Sequence, residues 1–345
     1  MTFSEHILKW YNLHKRELPW RATKDPYKIW LSEIILQQTR VAQGTPYYYK
    51  FLEAFPTVHE LASADEEKVL KLWQGLGYYS RARNLHATAK IVVQEFDGKF
   101  PDTYKQLKSL KGVGDYTASA IASICFGLPE PVVDGNVYRV LARYFGVETP
   151  INSPEGVKYF KELAREVMNA QNIRDYNQGV MEFGAIQCAP KKPYCLHCSL
   201  NESCVALKES KVASLPVKIN KTKVRKRHFN YLVYLDAEGN TILEQRKGKG
   251  IWQNLYQFPL TESDRTLDED ELKNKLKEKD GFPTVKTIKL HNHEPIVHKL
   301  SHQHLYTRFW ILEVEQTINK GVSWENIESF PVPVLIADFI KTFKI

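Results

Sequence analysis

Cysteine is scarce in this sequence: 345 residues hold five, and the last 141 hold none. Long apolar runs are absent too. No 18 consecutive residues are apolar, which excludes a helix able to cross a bilayer, and the mean hydropathy of −0.41 agrees. The opening residues, MTFSEHILKWYN, lack a basic stretch followed by an apolar core, so no export signal is expected. A chain kept in a reducing compartment has little use for disulfides. Acid is missing from residues 211–228, KVASLPVKINKTKVRKRH, which read as an exposed basic linker.

Four of the five cysteines, Cys188, Cys195, Cys198 and Cys204, fall within 17 residues in the pattern C-x6-C-x2-C-x5-C. Four such thiolates can surround one soft metal centre. Spacing alone leaves an iron–sulfur cluster, a zinc site and two disulfides all open. The fifth, Cys125 in ASAIASICFG, reads as a buried apolar filler. A net charge of +8 and a pI near 9.0 favour a polyanionic partner, although a merely basic soluble protein has the same composition.

The length suits two domains. Residues 1 to about 207 read as nearly continuous helix, with capping boxes at Thr2–Glu5 and Ser63–Glu66. Helical periodicity recurs at 81–95, 103–110, 116–126, 136–145, 155–170 and 175–186. Beyond the linker the texture changes. HFNYLVYLD and TILEQR read as paired strands around an AEGN turn, DEDELKNKLKEK as a charged helix, TRFWILEVE as a strand and PVLIADFIKTF as a closing helix. This places a catalytic region at 1–210, a linker at 211–227 and an α+β domain at 228–345.

Three local patterns carry chemistry. Glu33 lies in KIWLSEIILQQT, where apolar neighbours would desolvate its carboxyl and raise its pKa toward neutrality. The plain reading is a polar stripe of Glu33, Gln37 and Arg40. LKGVGDYTA sets Gly112, Val113 and Gly114 between helices, where free N–H groups can seat a phosphate, or simply make an interhelical turn. In PVVDGNVYRVL, Asp134 is either an N-cap or a second catalytic carboxylate.

LPWR at 18–21, DPYKIWLSEIILQQTRV at 25–41, GLGYYSRARNL at 75–85, LKGVGDYTA, VVDGNVYRVLAR at 132–143 and the four-cysteine loop stand in the order typical of adenine DNA glycosylases. These belong to the helix-hairpin-helix superfamily with endonuclease III-type enzymes, and the resemblance spans essentially the whole chain. It implies a mainly α N-terminal half, a six-helix barrel plus an iron–sulfur cluster domain, followed by a Nudix-like α+β domain. Cys188, Cys195, Cys198 and Cys204 would then bind a 4Fe–4S cluster in the 188–204 loop. Lys191 and Lys192 would face DNA phosphate, and His197 would be a loop residue.

The resemblance further implies that Glu33 protonates adenine N7 and later activates water, while Asp134 stabilises the sugar cation and Asn136 supports the centre. Gln38 and Tyr78 would enter the duplex. Arg16, Trp20, Arg21 and Gln178 would line the adenine pocket. Tyr116 stands where bifunctional relatives carry a Schiff-base lysine, so efficient strand cleavage is not expected, although Lys111 is near in sequence. The hairpin would seat phosphate and leaves room for a monovalent or divalent cation. Ser301 and His302 match a loop that reads 8-oxoguanine, with Leu300 in place of the usual aromatic. GKGIWQNLYQFP fits a Nudix comparison, but the magnesium-binding glutamate box is missing, so pyrophosphate hydrolysis is not expected. The implied substrate is double-stranded DNA with A:8-oxoguanine or A:G mispairs. A monomer without membrane attachment, in the bacterial cytoplasm and on the nucleoid when bound to DNA, is expected.

Overall fold

The computed structural model describes residues 1–219, 224–277 and 281–345. Positions 220–223 of the basic linker and 278–280 at the end of the charged helix lie outside the described residues. The helices are α1 (Phe3–His14), α2 (Pro26–Leu36), α3 (Val41–Ala54), α4 (Val58–Ser63), α5 (Glu66–Leu72) and α6 (Ser80–Phe96). They continue with α7 (Tyr104–Ser109), α8 (Asp115–Phe126), α9 (Gly135–Phe145), α10 (Pro154–Val167), α11 (Ile173–Ile186) and α12 (Val205–Lys208).

The described residues group into two compact units, one built from 1–63 and 84–220, the other from 64–83 and 221–345. In the first, Thr2 opens α1 with the expected capping box, its hydroxyl taking the Glu5 N–H while the Glu5 carboxylate takes the Thr2 N–H. Trp10 of α1 packs edge-on to Phe183 of α11 at 5.0 Å. Gly179 permits this approach, since a Cβ there would stand 3.1 Å from the Tyr11 Cβ. Helix α2 is buried from Ile29 through Ile35, and α8 presents small residues, Thr117 to Ala122, to the same interior. A helix apolar on every face belongs in a core.

The second unit centres on a sheet of order β5 (Leu260–Ser263), β1 (Arg225–Leu235), β8 (Gln303–Val314), β6 (Val285–Leu290), with β7 (Ile296–Lys299) also pairing β8. Strands β1 and β8 run parallel, with Tyr231 opposite Phe309 and Val233 opposite Ile311. Both faces of this pair are covered. Leu232, Tyr234, Trp310 and Leu312 share a cluster with Leu272 of α13 (Glu269–Lys277). On the other face, Phe309 stacks on Phe339 of α14 (Val334–Thr342) at 4.0 Å. Two-sided burial accounts for the dense apolar composition of these strands.

Residues 64–83 join this unit through polar ties. Asn254 Nδ2 donates to Glu66 Oε1 at 2.5 Å, the Tyr256 hydroxyl to Glu67 Oε1 at 2.6 Å, and Arg83 Nη1 to the Gln253 carbonyl at 2.9 Å.

Three local expectations are corrected. Ser63 is the last residue of α4, and Asp65 occupies the N-cap of α5, so no capping box forms there. TILEQR does not pair with HFNYLVYLD: it splits into β2 (Asn240–Thr241), paired with β9 (Val322–Ser323), and β3 (Glu244–Gln245), paired with β4 (Tyr256–Gln257). The tight turn does form, with Gly239 N–H on the Asp236 carbonyl, but β1 takes β5 and β8 as its partners instead. Cys125 is only half-buried, because it sits one residue before the end of α8.

Candidate active site

Helix α2 carries Glu33 one turn before its end and starts from an Asp25 cap, with Pro26 as its first residue. The Glu33 side chain lines one cleft of about 340 Å³ with Gln38, Tyr116 and Asp134. Only 9% of Glu33 is exposed. Burial pushes its carboxyl up to about 7; a hydrogen bond from Tyr116 and the charge of Arg21 oppose the rise, and the nearby Asp134 charge adds to it. An acid poised there can give a proton and take one back at neutral pH.

Asp134 arrives from another element, at the N-cap of α9. Its Oδ1 accepts the N–H groups of Asn136 and Val137 at 2.9 and 2.8 Å, and its Oδ2 accepts Asn136 Nδ2 at 2.8 Å. Burial raises its pKa, and these donors pull against the rise. Asp134 thus caps α9 and also lines the Glu33 cleft. Asn136 is fixed in turn by Arg139, whose Nη2 reaches Asn136 Oδ1 at 2.9 Å while its Nε reaches the Cys188 carbonyl at 2.7 Å. Gly184 of α11 packs on this residue, and a Cβ there would stand 2.7 Å from the Asn136 Cβ.

Arg16, Trp20, Arg21 and Gln178 are not among the residues lining that cleft. Arg16 and Arg21 converge on one carboxylate that sequence reasoning missed, Glu182 of α11. Arg16 donates to it from Nε at 2.7 Å and Nη2 at 2.6 Å, Arg21 from Nη1 at 3.1 Å and Nη2 at 2.8 Å. Burial would raise the Glu182 pKa, but the two guanidinium groups overcome it and hold the acid at about 2. The signal was available: Glu182 is an acid amid apolar helix, one turn beyond Gln178, as Glu33 is in α2. Trp20 is buried edge-on to Tyr48 at 5.4 Å. Gln178 is buried on α11.

The Gly112–Gly114 turn joins α7 to α8. Gly112 adopts φ +77°, and a Cβ there would stand 2.7 Å from the Asn84 Cβ, so glycine is required on both counts. Val113 is buried and anchors the turn, while both glycines are exposed. Gly114 caps α8 without a side-chain acceptor. Lys111 is exposed and outside the cleft lining.

Within the second unit, Tyr78, Ser301 and His302 line a separate cleft of about 370 Å³, with Trp252 and Leu300 giving it an apolar wall. The Tyr78 hydroxyl and Ser301 Oγ share a hydrogen bond of 2.5 Å. Tyr78 and Trp252 both have positive φ, +47° and +58°. Bulky residues seldom hold that strained conformation, and it tends to gather at functional sites. Gln38 at φ +54° repeats the feature in the first unit.

All four cysteines of the 188–204 loop are free thiols and half-buried. Arg143 Nη1 donates to Cys188 Sγ at 3.4 Å, and the Leu200 N–H to Cys198 Sγ at 3.4 Å. Burial lifts the Cys198 thiol to about 11 and raises Cys195 and Cys204, and neighbouring thiolates add to each rise. Among the described residues, no group of three or more His, Cys, Asp or Glu side chains is arranged to hold a single ion. No helix among them is long and apolar enough to cross a membrane.

Residues 31–177 match the HhH-GPD superfamily of base excision DNA repair proteins, and residues 230–342 match the NUDIX domain. The adenine DNA glycosylase of Buchnera aphidicola subsp. Baizongia pistaciae is 34% identical across 100% of this chain and 98% of its own length. The human adenine DNA glycosylase is 42% identical over 59% of this chain and 39% of its own. Among solved structures, a thermostable thymine-DNA glycosylase superposes with a TM-score of 0.56 at 33% identity, over 60% of this chain and 95% of that one. An endonuclease III–DNA complex shares the fold, with a TM-score of 0.53 at 20% identity over 60% and 94% of the two chains. With an HhH-GPD match followed by a NUDIX match and similarity to an adenine DNA glycosylase running end to end, this chain belongs to the adenine DNA glycosylases, enzymes of base excision repair.

Proposed function

We propose that this glycosylase excises adenine paired with 8-oxoguanine, and also adenine from A:G, by a monofunctional mechanism centred on Glu33 and Asp134. The observation that carries the reading is the buried Glu33 carboxyl, raised to about 7, in one cleft with Asp134 and Tyr116. The flipped adenine takes a proton at N7 from Glu33, which turns the base into a good leaving group. The C1′–N9 bond then breaks, and its electron pair leaves with the base. Asp134, aligned by Asn136, stabilises the cationic sugar through its charge or by a transient bond. Glu33, now a carboxylate, accepts a proton from the attacking water. Tyr116 offers no amine for a Schiff base, which supports base release without efficient strand cleavage.

Gln38 and Tyr78 are assigned to the opened duplex, and Arg16, Trp20, Arg21 and Gln178, which lie outside the cleft lining, to the shell behind the residues that meet the extruded base. The Gly112–Gly114 turn is assigned to a phosphate. Ser301 and His302 offer hydrogen-bonding groups to 8-oxoguanine, and Trp252 and Leu300 supply the apolar contact. Cys188, Cys195, Cys198 and Cys204 are assigned to a 4Fe–4S cluster: four thiols in one loop, two of them accepting N–H···S bonds. Such a cluster would cross-link the 188–204 loop and takes no part in the hydrolysis.

The test is single-turnover adenine release from A:8-oxoguanine, A:G and T:G duplexes, with alkali added separately to reveal abasic sites. Release from the first two, with nicking only after alkali, is expected. Glu33→Gln should bind the A:8-oxoguanine duplex and release nothing. Thymine release in place of adenine, or an active Glu33→Gln variant, would overturn the reading.

A further inference from the structure

Lys161 of α10 is a half-buried cation that the chemistry above does not use. Its side chain is 16% exposed, and its ammonium has three partners: Asp115 Oδ2 at 3.0 Å, Ser119 Oγ at 2.8 Å and the Pro131 carbonyl at 2.7 Å. Three N–H donors are thereby used. The partners lie on two functional elements. Asp115 and Ser119 belong to α8, whose N-terminus follows the Gly112–Gly114 turn, and Pro131 lies in the extended run that ends at Asp134. Asn177 makes a parallel tie, donating to Ser123 Oγ and the Glu130 carbonyl at 2.8 Å each.

Asp115 presents an electrostatic problem. As the first residue of α8, its carboxylate competes with a phosphate for the same helix N-terminus. Lys161 and the Tyr104 hydroxyl both hold it, and Lys108 stands 3.8 Å away. Burial would raise the Asp115 pKa, but these donors outweigh it and keep the group ionised. Without a cation at position 161, the Asp115 charge beside the phosphate seat would keep only the more distant Lys108 and the Tyr104 hydroxyl against it, and the Pro131 carbonyl would lose its donor.

We infer that Lys161 is a positioning residue joining the DNA-phosphate turn to the catalytic aspartate: it neutralises Asp115 beside the turn and fixes the run that delivers Asp134. The inference rests on the roles proposed for Asp134 and the turn. Its two functions separate by charge and by geometry. Neutralising Asp115 governs DNA affinity, and holding Pro131 governs the rate after binding.

The experiment measures Kd and the single-turnover rate independently on an A:8-oxoguanine duplex for wild type, Lys161→Met, Lys161→Arg, Asp115→Asn and the Asp115→Asn/Lys161→Met double variant. Lys161→Met should weaken binding and slow excision by about tenfold or more, since misplacing a reacting group by an ångström costs on the order of a hundredfold. Asp115→Asn should tighten binding. The double variant should regain affinity while its excision rate stays low, a split that general destabilisation does not produce. Lys161→Arg should restore affinity and part of the rate. A wild-type excision rate in Lys161→Met, or full recovery of rate in the double variant, would overturn the inference. If Lys161→Met does not fold, Asp115→Asn and Lys161→Arg still decide, because unchanged affinity in the first or a complete loss of rate in the second contradicts it. A wild-type protein that releases no adenine counts against the proposed function instead.

Discussion

Glu33 sits where stability and activity pull apart. Its folded pKa, about 7, lies above the ordinary 4.5. The favourable state is therefore fully present below pH 4.5 and is lost as pH rises through about 7, a cost of roughly 3 kcal/mol. Glu33→Gln cannot ionise and should unfold at higher urea than wild type at pH 8, with little difference at pH 4.5. In the proposed mechanism excision needs the protonated acid, so the wild-type single-turnover rate should fall above pH 7. Asp134 combines two roles in the same way, cap and charge. Asn caps a helix about as well as Asp, so Asp134→Asn should cost less than about 0.5 kcal/mol in a denaturant titration. The same change should lower the excision rate by about a hundredfold or more, because the anion facing the sugar is gone. A parallel loss of stability and rate would mean that the carboxylate is only a cap.

Among the elements, α9 and α11 approach closely beside Asn136, the residue that aligns Asp134 in the proposed mechanism. Gly184 lets α11 lie against the backbone and side chain of Asn136. Gly184→Ala would push Asn136 away from Asp134, and the expected result is a rate at least about tenfold lower with DNA affinity retained. The turn between β7 and β8 carries Ser301 and His302, assigned above to lesion recognition. Ser301→Ala removes the partner of the Tyr78 hydroxyl and a polar group of the second cleft. It should lower the ratio of excision rates on A:8-oxoguanine and A:G while leaving the A:G rate close to wild type. An unchanged ratio would remove Ser301 from lesion recognition.

At the scale of the whole molecule, legibility followed the range of the signal. Helices of the first 208 residues are written in local periodicity and caps, and Glu33 stood out because one acid in an apolar helix is a local anomaly. Glu182 carried the same anomaly but only spatial proximity joins it to Arg16 and Arg21, more than 160 residues away. The pairing of β1 with β8 was equally hidden, since a parallel partner some 80 residues distant leaves no trace in either strand. The AEGN turn was readable, yet a turn does not fix which ladder its flanks join. Residues 64–83 look like every neighbouring helical stretch in composition, and it is bonds such as those to Phe330, Gln253, Asn254 and Tyr256 that reveal where they belong.

That last grouping limits how the protein can be treated as a set of modules. The chain passes between its two units at residues 63–64, 83–84 and 220–221, so a single cut in the basic linker does not release the second unit intact. Grafting residues 221–345 onto the helical region of a relative would pair them with a foreign version of 64–83, and Glu66, Glu67, Lys71 and Arg83 would have to find equivalents there. The exchangeable cassette is thus discontinuous: the twenty residues from Ala64 to Arg83 must travel with the C-terminal unit for the cleft of Tyr78, Trp252 and Ser301 to keep both walls.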